Sequence, residues 1–443
     1  MRGKNEASPL LSIGSPLNKI RQYFSTLEIT RGFLIAILGS LFIYMQYMKL
    51  DYITINTISA IIALYLLLIS NKKTWLFTGF FTGIFWFWWI SLSFIHYSMP
   101  WAVPIVVIAM GLLYALLFWS IASLSELIEK SKIDTYTFLP YITNALGILS
   151  LSYIHPFGFD WFKPELMFVN SYIGIEKWQF AIVLITIVLT IIRKNILFLI
   201  PILFAIEINT SKIILNSNIS NSSIELVETN TTVKDKWNES KHNEIYEEVF
   251  SFIDSAIESK KTLIVFPESV FPIFLNYNKL LVDRLKEKSK QISIVVGGLF
   301  WDGKTPYNST YIFTKNSVQI ANKVVLVPFG ESNPLPDFLS DLVNEVFYDG
   351  AVDYKADTKI TDYVVDGVTY RNAICFEATS QKLYEKDSKN QRPKNMIVLS
   401  NNGWFTPSIE PTLQSLLLLY YSRKYKTTIY HSTNMSSVYI VKP

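Results

Sequence analysis

The chain has a single cysteine, Cys375, among 443 residues. No intramolecular disulfide can form, so a disulfide-stapled build is excluded. Histidine is nearly as scarce: His96, His155, His242 and His431 are scattered without metal-ligand spacing. Charge is sparse as well. Asp, Glu, Lys and Arg make up 17% of the residues, against about 25% in ordinary soluble domains. The net charge is only +4, and no Lys/Arg patch is dense enough to make a case for nucleic acid as a partner. There is no internal repeat and no low-complexity tract. What the chain has in excess is apolar residues, 50% of the total, with 15% aromatic and a mean hydropathy of +0.27. Disorder is thereby excluded. So is an ordinary soluble enzyme, unless the excess sits in one part. It does: residues 30–208 hold nearly all the long uncharged runs, and residues 209–443 read as a mixed globular domain.

A hydrocarbon core of about 30 Å needs roughly 20 apolar residues as helix. Spans are expected at 30–48, 53–70, 75–96, 103–127, 137–154, 177–192 and 196–208; the last two are short, joined only by Arg193, Lys194 and Asn195, and read as a tight hairpin of two spans, favoured by the charges, or as one long irregular segment. Lys and Arg collect on the cytoplasmic side. Arg2, Lys4, Lys19, Arg21 and Arg31 put the N-terminal segment, 1–29, inside. The second, fourth and sixth connections carry Lys72 and Lys73, Lys130 and Lys132, and Arg193 and Lys194. The first carries Lys49, the third nothing, the fifth Lys163. This alternation fits seven spans and delivers residue 209 onward to the outside. The first apolar run starts too late for a cleavable signal peptide and lacks a small-residue exit. The aromatic run Phe85-Trp86-Phe87-Trp88-Trp89 suits an interfacial belt or lipid-facing bulk, and the aromatic fifth connection, 155–176, is expected to dip back to the bilayer surface.

Beyond residue 209 the period changes. Short β-branched runs at 223–227, 262–266, 292–299, 309–314, 317–325, 368–375, 396–400 and 429–432 carry the strand signature. Helical patterns lie between them at 238–259, 275–290, 379–386 and 412–425. The alternation argues for an α/β domain of two sheets with helices outside. The stretch 334–353, with Phe338, Phe347 and Tyr348, has no settled period and reads as a lid or as a helix packed on the core.

Three stretches put a reactive residue in or just after a strand. Leu263-Ile-Val-Phe-Pro-Glu268 ends in a carboxylate, Asn322-Lys323 opens a run closing on Pro-Phe-Gly-Glu331, and Asn372-Ala-Ile-Cys375 ends in the sole thiol. Acyl transfer needs a nucleophile, a base to activate it and a positive group for the oxyanion. Glu268, Lys323 and Cys375 supply all three without histidine, metal or cofactor. His242, on a charged helix face beside Lys241 and Glu244, is expected to be solvated. It and His431 are the only histidines in this half for a Cys-His pair.

The order Glu, Lys, Cys, with Pro-Glu, Lys-x-x-Leu-Val-Pro-Phe-Gly-Glu and Cys-Phe-Glu, resembles the carbon–nitrogen hydrolase (nitrilase) superfamily. With a multi-span half ahead of it, the chain resembles the apolipoprotein N-acyltransferases over nearly its whole length. The resemblance implies a helical membrane domain followed by an extracytoplasmic α-β-β-α sandwich, divided at 30–208 and 209–443. It implies Cys375 as nucleophile, Glu268 as general base and Lys323 as oxyanion lysine. Glu331, Glu377, Trp237, Phe376, Asn308 and Trp404 are implied as supporting or substrate-binding residues. Phe376 stands where the family often has tyrosine, and 400–403 (Ser-Asn-Asn-Gly) where it commonly has an acid. The family usually adds a final membrane helix; here Pro443 follows a strand, so this end is expected outside.

The activity implied is transfer of an acyl chain from a phospholipid to the α-amine of a diacylglyceryl-cysteine on an apolipoprotein, in a bacterial inner membrane with the catalytic half on the periplasmic side. A membrane-anchored nitrilase-like amidase is the alternative, although seven spans exceed what an anchor needs. A transporter is a weaker reading, because the spans hold almost no ionisable residues.

Overall fold

The computed structural model describes residues 25–50, 52–130, 138–208, 211–215, 223–333, 353–386 and 391–443. The charged segment before residue 25, Lys132, and the stretch 334–352 with Phe338, Phe347 and Tyr348 lie outside the described residues.

The first half is a helical bundle: α1 (Thr26–Tyr47), α2 (Ile53–Leu68), α3 (Lys72–Phe87), α4 (Ala102–Lys130), α5 (Leu139–Ser150) and α6 (Lys177–Arg193). Local chemistry sets the starts. Ser25 and Glu28 form a capping box at α1, and Asn71 accepts from the Thr74 amide at α3. Thr26–Tyr47, Lys72–His96 and Ala102–Lys130 are long and apolar enough to cross a membrane. The other expected spans are shorter, at 16, 12 and 17 residues for α2, α5 and α6. The stretch 196–208 forms a ten-residue 3-10 helix, Ile196–Ala205, holding Pro201 and packed on α6. At about 2.0 Å per residue it reaches about 20 Å. Glycine lets α3 and α4 approach closely: a Cβ on Gly79 would lie 2.3 Å from the Tyr114 carbonyl oxygen, and one on Gly83 2.5 Å from that of Met110.

Two expectations fail here. Trp86, Phe87 and Trp89 are buried inside the protein, neither at an interface nor facing lipid; the Trp86 indole donates to Ser40 Oγ at 3.1 Å. The fifth connection is also interior. Trp161, Phe162, Leu166 and Phe168 are buried, and Trp161 Nε1 donates to Thr379 Oγ1 of the second half at 2.7 Å. Its charges are paired: Asp160 with Lys163 and His155, Glu165 with Lys177.

The second half has thirteen strands among its described residues, in two sheets. One sheet runs β2 (Ile224–Leu226), β4 (Leu263–Val265), β6 (Ser293–Trp301), β7 (Pro306–Thr314) and β8 (Ser317–Asn322), with β5 (Phe271–Phe274) on β6. The other runs β1 (Lys212–Leu215), β13 (Tyr439–Lys442), β12 (Thr428–Asn434), β11 (Asn395–Asn401), β10 (Val368–Ile374) and β9 (Asp362–Val365), with β3 (Glu228–Thr229) on β12. Period-two alternation assigns the faces. Leu263, Val265, Val295, Ile397 and Leu399 pack between the sheets. Ile264, Phe266, Ile294 and Val296 pack under α7 (His242–Glu258), which offers Ile245, Val249, Phe250 and Ile253 from one stripe, and under α8 (Lys279–Lys288). On the other side Met396 and Val398 meet α9 (Glu410–Tyr425). The result is an α-β-β-α stack.

Helix α9 is buried all round because it lies between its sheet and the bundle. Tyr420 Oη donates to Glu165 Oε1 at 2.9 Å, and Arg423 Nη1 donates to the Val169 carbonyl at 2.8 Å. The stretch 379–386, expected as a helix, is instead built from two 3-10 turns, Cys375–Thr379 and Gln381–Tyr384. The short strands β1, β3, β5, β9 and β13 add to those legible in the pattern.

Candidate functional site

The strand β4 ends at Val265, and Phe266-Pro267 carries the chain to Glu268. This turn is pinned from three sides. Ser269 takes a left-handed φ of 47°. Gly297 of β6 lies directly beneath, where a Cβ would come within 2.4 Å of the Ser269 nitrogen. Lys236, fully buried, donates to the Glu268 carbonyl at 3.1 Å. The carboxylate itself accepts from Asn308 Nδ2 at 2.7 Å on Oε1 and from the Asn401 amide at 2.9 Å on Oε2.

Lys323 follows β8 directly. Its backbone amide donates to the Asn308 carbonyl at 2.9 Å, and its side chain is 1% exposed. Nζ lies 2.9 Å and 2.8 Å from the two Glu331 oxygens and 3.7 Å from Glu268 Oε1. Burial opposes the charge on Lys323, but Glu331, Glu268 and Cys375 outweigh it and hold the ammonium above the ordinary lysine range. Glu331 also accepts from the Val327 amide at 2.8 Å, and Asn308 Nδ2 bridges Glu331 Oε1 and Glu268 Oε1 at 2.8 and 2.7 Å. Asn308 and Glu331 thus fix the relative placement of the carboxylate and the ammonium.

Cys375 stands where β10 breaks into a 3-10 turn, with φ 52°. A non-glycine residue in this region costs roughly 1–3 kcal/mol, and Glu377 supplies the compensation. Glu377 Oε1 accepts from the Ile374 amide at 2.7 Å, and Oε2 accepts from the amides of Val324 and Val325 at 2.7 and 3.2 Å. One buried carboxylate therefore ties the cysteine turn to the Lys323 segment. Burial raises the Glu377 carboxyl to about 7, against Lys323 and the three amides.

Burial also pushes the Cys375 thiol well above its usual range, as do Glu268, Glu410 and Glu331, while Lys323 pulls the other way. Ionisation of this sulfur is therefore opposed, and a base is needed to take its proton.

The remaining expected residues divide. Phe376 is buried, stacked on Phe159 at 5.7 Å and Trp161 at 6.1 Å, so the residue after the cysteine anchors the turn to the bundle. Trp404 stacks on Tyr97 at 5.5 Å and meets His96 edge-on, again across the two halves. Trp237 is 42% exposed and joins the cluster only through its neighbour Lys236. His242 is part-buried and bonded to the Lys236 carbonyl at 3.1 Å, not solvated. His431 is fully buried, bonded to Ser400 Oγ at 2.7 Å, and held down to about 3 by burial.

Asn401 lies in the 400–403 stretch already singled out, and three residues escaped the sequence reading: Lys236, Glu410 and Gln414. A signal existed for the last two. Glu410 and Gln414 are polar, four residues apart on one helix face, in an otherwise Leu-rich run.

Fold and cluster together define a membrane protein whose second half holds a buried carboxylate, an ammonium and a thiol against the helices of the first. The profile of the apolipoprotein N-acyltransferase integral membrane domain matches residues 26–210. Apolipoprotein N-acyltransferases from Wolinella succinogenes and Helicobacter pylori are similar throughout. The first is 38% identical over 410 residues, 92% of this chain and 94% of that protein; the second is 35% identical over 396 residues, 88% of each. A carbon–nitrogen hydrolase superfamily protein from Xanthomonas campestris matches 48% of this chain and 76% of its own at 12% identity, with a TM-score of 0.36. The chain belongs to the apolipoprotein N-acyltransferase family.

Proposed function

We propose that this protein transfers a fatty acyl chain from a phospholipid to the α-amine of a diacylglyceryl-cysteine at an apolipoprotein N-terminus, through a thioester on Cys375. The observation that carries the reading is the convergence of Glu268, Lys323 and Cys375 at a wall shared with the membrane half.

The steps follow from the charges at rest. Glu268 takes the Cys375 proton as sulfur attacks the ester carbonyl, and the oxyanion forms beside Lys323. The intermediate collapses, the lysophospholipid alkoxide leaves with the proton from Glu268, and an acyl thioester remains. The neutral acceptor amine then attacks the thioester carbonyl. Glu268 takes the amine proton and returns it to the departing sulfur. Glu331 and Asn308 keep Lys323 and Glu268 in register, and Glu377 holds the cysteine turn. Both substrates keep their acyl chains in the bilayer, which gives the helical half its purpose.

The alternation of Lys and Arg along the connections favours a catalytic half on the periplasmic face of an inner membrane, with the division near residue 209. The decisive experiment incubates the protein with labelled phospholipid and a reporter lipoprotein. Wild type is expected to hold hydroxylamine-sensitive label and to add the mass of one acyl chain to the reporter. Thioester-linked label on Cys375→Ser equal to wild type would sink the reading. Ammonia release from small amides with no mass gain on the reporter would move it to an amidase.

A further inference from the structure

The carboxylate and the ammonium approach Cys375 from β4 and β8. A third group approaches it from α9. Gln414 is fully buried, and its Nε2 lies 3.9 Å from Cys375 Sγ. The same nitrogen donates to Ser400 Oγ at 3.4 Å. The carboxamide oxygen is taken up by Asn402 Nδ2 at 3.4 Å, and that nitrogen is itself held on Ser436 Oγ at 3.0 Å. Ser400 is further bonded to His431 Nε2 at 2.7 Å. Burial keeps His431 uncharged, so the network is neutral and directional. With its oxygen occupied, Gln414 turns its two N–H groups toward a hydroxyl and a sulfur.

We propose that Gln414 is a catalytic residue: its carboxamide N–H holds the Cys375 sulfur and stabilises the thiolate as the proton departs. The proposal rests on Cys375 being the nucleophile. A resting thiol is a weak acceptor, which fits the long 3.9 Å contact; a thiolate accepts more strongly, so the bond strengthens in the state the reaction must reach. The charged or titratable groups acting on this sulfur include Glu268, Lys323, Glu331 and Glu410, with the buried Tyr439 phenol also coupled to it. Of these only Lys323 favours the anion, and it is already committed to Glu331. A neutral donor from the opposite element adds stabilisation without adding a charge that would disturb the Glu268–Lys323 pair.

Cys375 is the sole cysteine, so alkylation by iodoacetamide reads this sulfur alone in the full chain in detergent. The pH profile of alkylation is compared for wild type and Gln414→Met, a side chain of similar length without a donor. The Met variant is expected to shift the midpoint upward and slow alkylation at pH 8 about fivefold to tenfold. Acylation of Cys375 by labelled phospholipid is expected to slow by a similar factor. A folded Met variant with the wild-type midpoint overturns the proposal. Should that variant fail to fold, Gln414→Asn decides. It keeps an uncharged carboxamide but draws the donor back from the sulfur by one methylene, so its midpoint must rise, and an unchanged midpoint overturns the proposal. Cys375→Ser that still carries thioester-linked label defeats the nucleophile reading instead, whatever the alkylation profiles do.

Discussion

The two halves of this molecule bury opposite things. In the bundle, large aliphatic side chains stand outward: Ile105, Leu116 and Leu127 are more than half exposed. Trp75, Trp86, Phe87 and Phe168 turn inward, and the Trp86 indole is satisfied by Ser40. In the sandwich the aliphatics fill the layers between sheets and helices, and the polar investment concentrates in one buried cluster around Cys375. Lipid tails are as apolar as leucine, so the bundle is held by close packing and a few polar ties. The sandwich is held by removal of apolar surface from water. A site placed where the regimes meet receives a rigid polar constellation from one and a hydrophobic neighbour from the other.

The contrast can be broken at four points. The largest effect is expected from Lys323→Met. It removes the positive group between two buried carboxylates, and acyl transfer should drop by about a thousandfold or more, read as acylated reporter per minute. Next is Phe376→Ala, which deletes the ring stacked on Phe159 and Trp161. A loss of about 3 kcal/mol is expected, seen as a lower thermal midpoint in detergent. A midpoint equal to wild type would mean that the halves do not stabilise each other through this contact.

Glu410→Gln tests the polar side by pH. Burial raises the Glu410 carboxyl from 4.5 to about 8, so between these values the folded state binds more protons than the unfolded state. Stability contributed by the neutral acid is therefore full below pH 4.5 and is lost as pH rises toward 8. The Gln variant, which cannot ionise, should gain on wild type across this window by on the order of 2 kcal/mol. Thermal midpoints at pH 5 and pH 8 check the sign. Ser40→Ala gives the smallest effect. It leaves the Trp86 indole unpaired inside the bundle and should cost about 1 kcal/mol. A cost several times larger would mean that the bundle leans on polar ties as heavily as the sandwich does.

Much of this architecture was legible beforehand, for identifiable reasons. The strands around Glu268, Lys323 and Cys375 are short, β-branched and bounded by turn residues, so a period of two exposed them. The bundle was harder. Inside a bilayer an aromatic run faces protein or lipid at little difference in apolarity, so Trp86 and Trp89 gave no cue to their direction. The fifth connection misled because its apolar and aromatic residues suit a bilayer surface as well as a protein interior, and the pairing of Asp160 with Lys163 and of Glu165 with Lys177 that allows burial involves side-chain geometry the sequence does not show. Gln414 and Glu410 sit within a run of leucines, and their partners come from strands distant in sequence. Only the packing of α9 against β12, β13 and the cysteine turn brings them to the cysteine.

The edge strand β1, Lys212–Leu215, leaves the bundle and pairs antiparallel with β13, Tyr439–Lys442. During synthesis this Lys-Ile-Ile-Leu segment emerges long before its partner exists. An adhesive row of open amides and carbonyls therefore waits beside the membrane while the rest of the domain is made. Closure of that sheet is a late event, and a ribosome stalled short of β13 leaves a nascent chain with a sticky seam for a chaperone to cover.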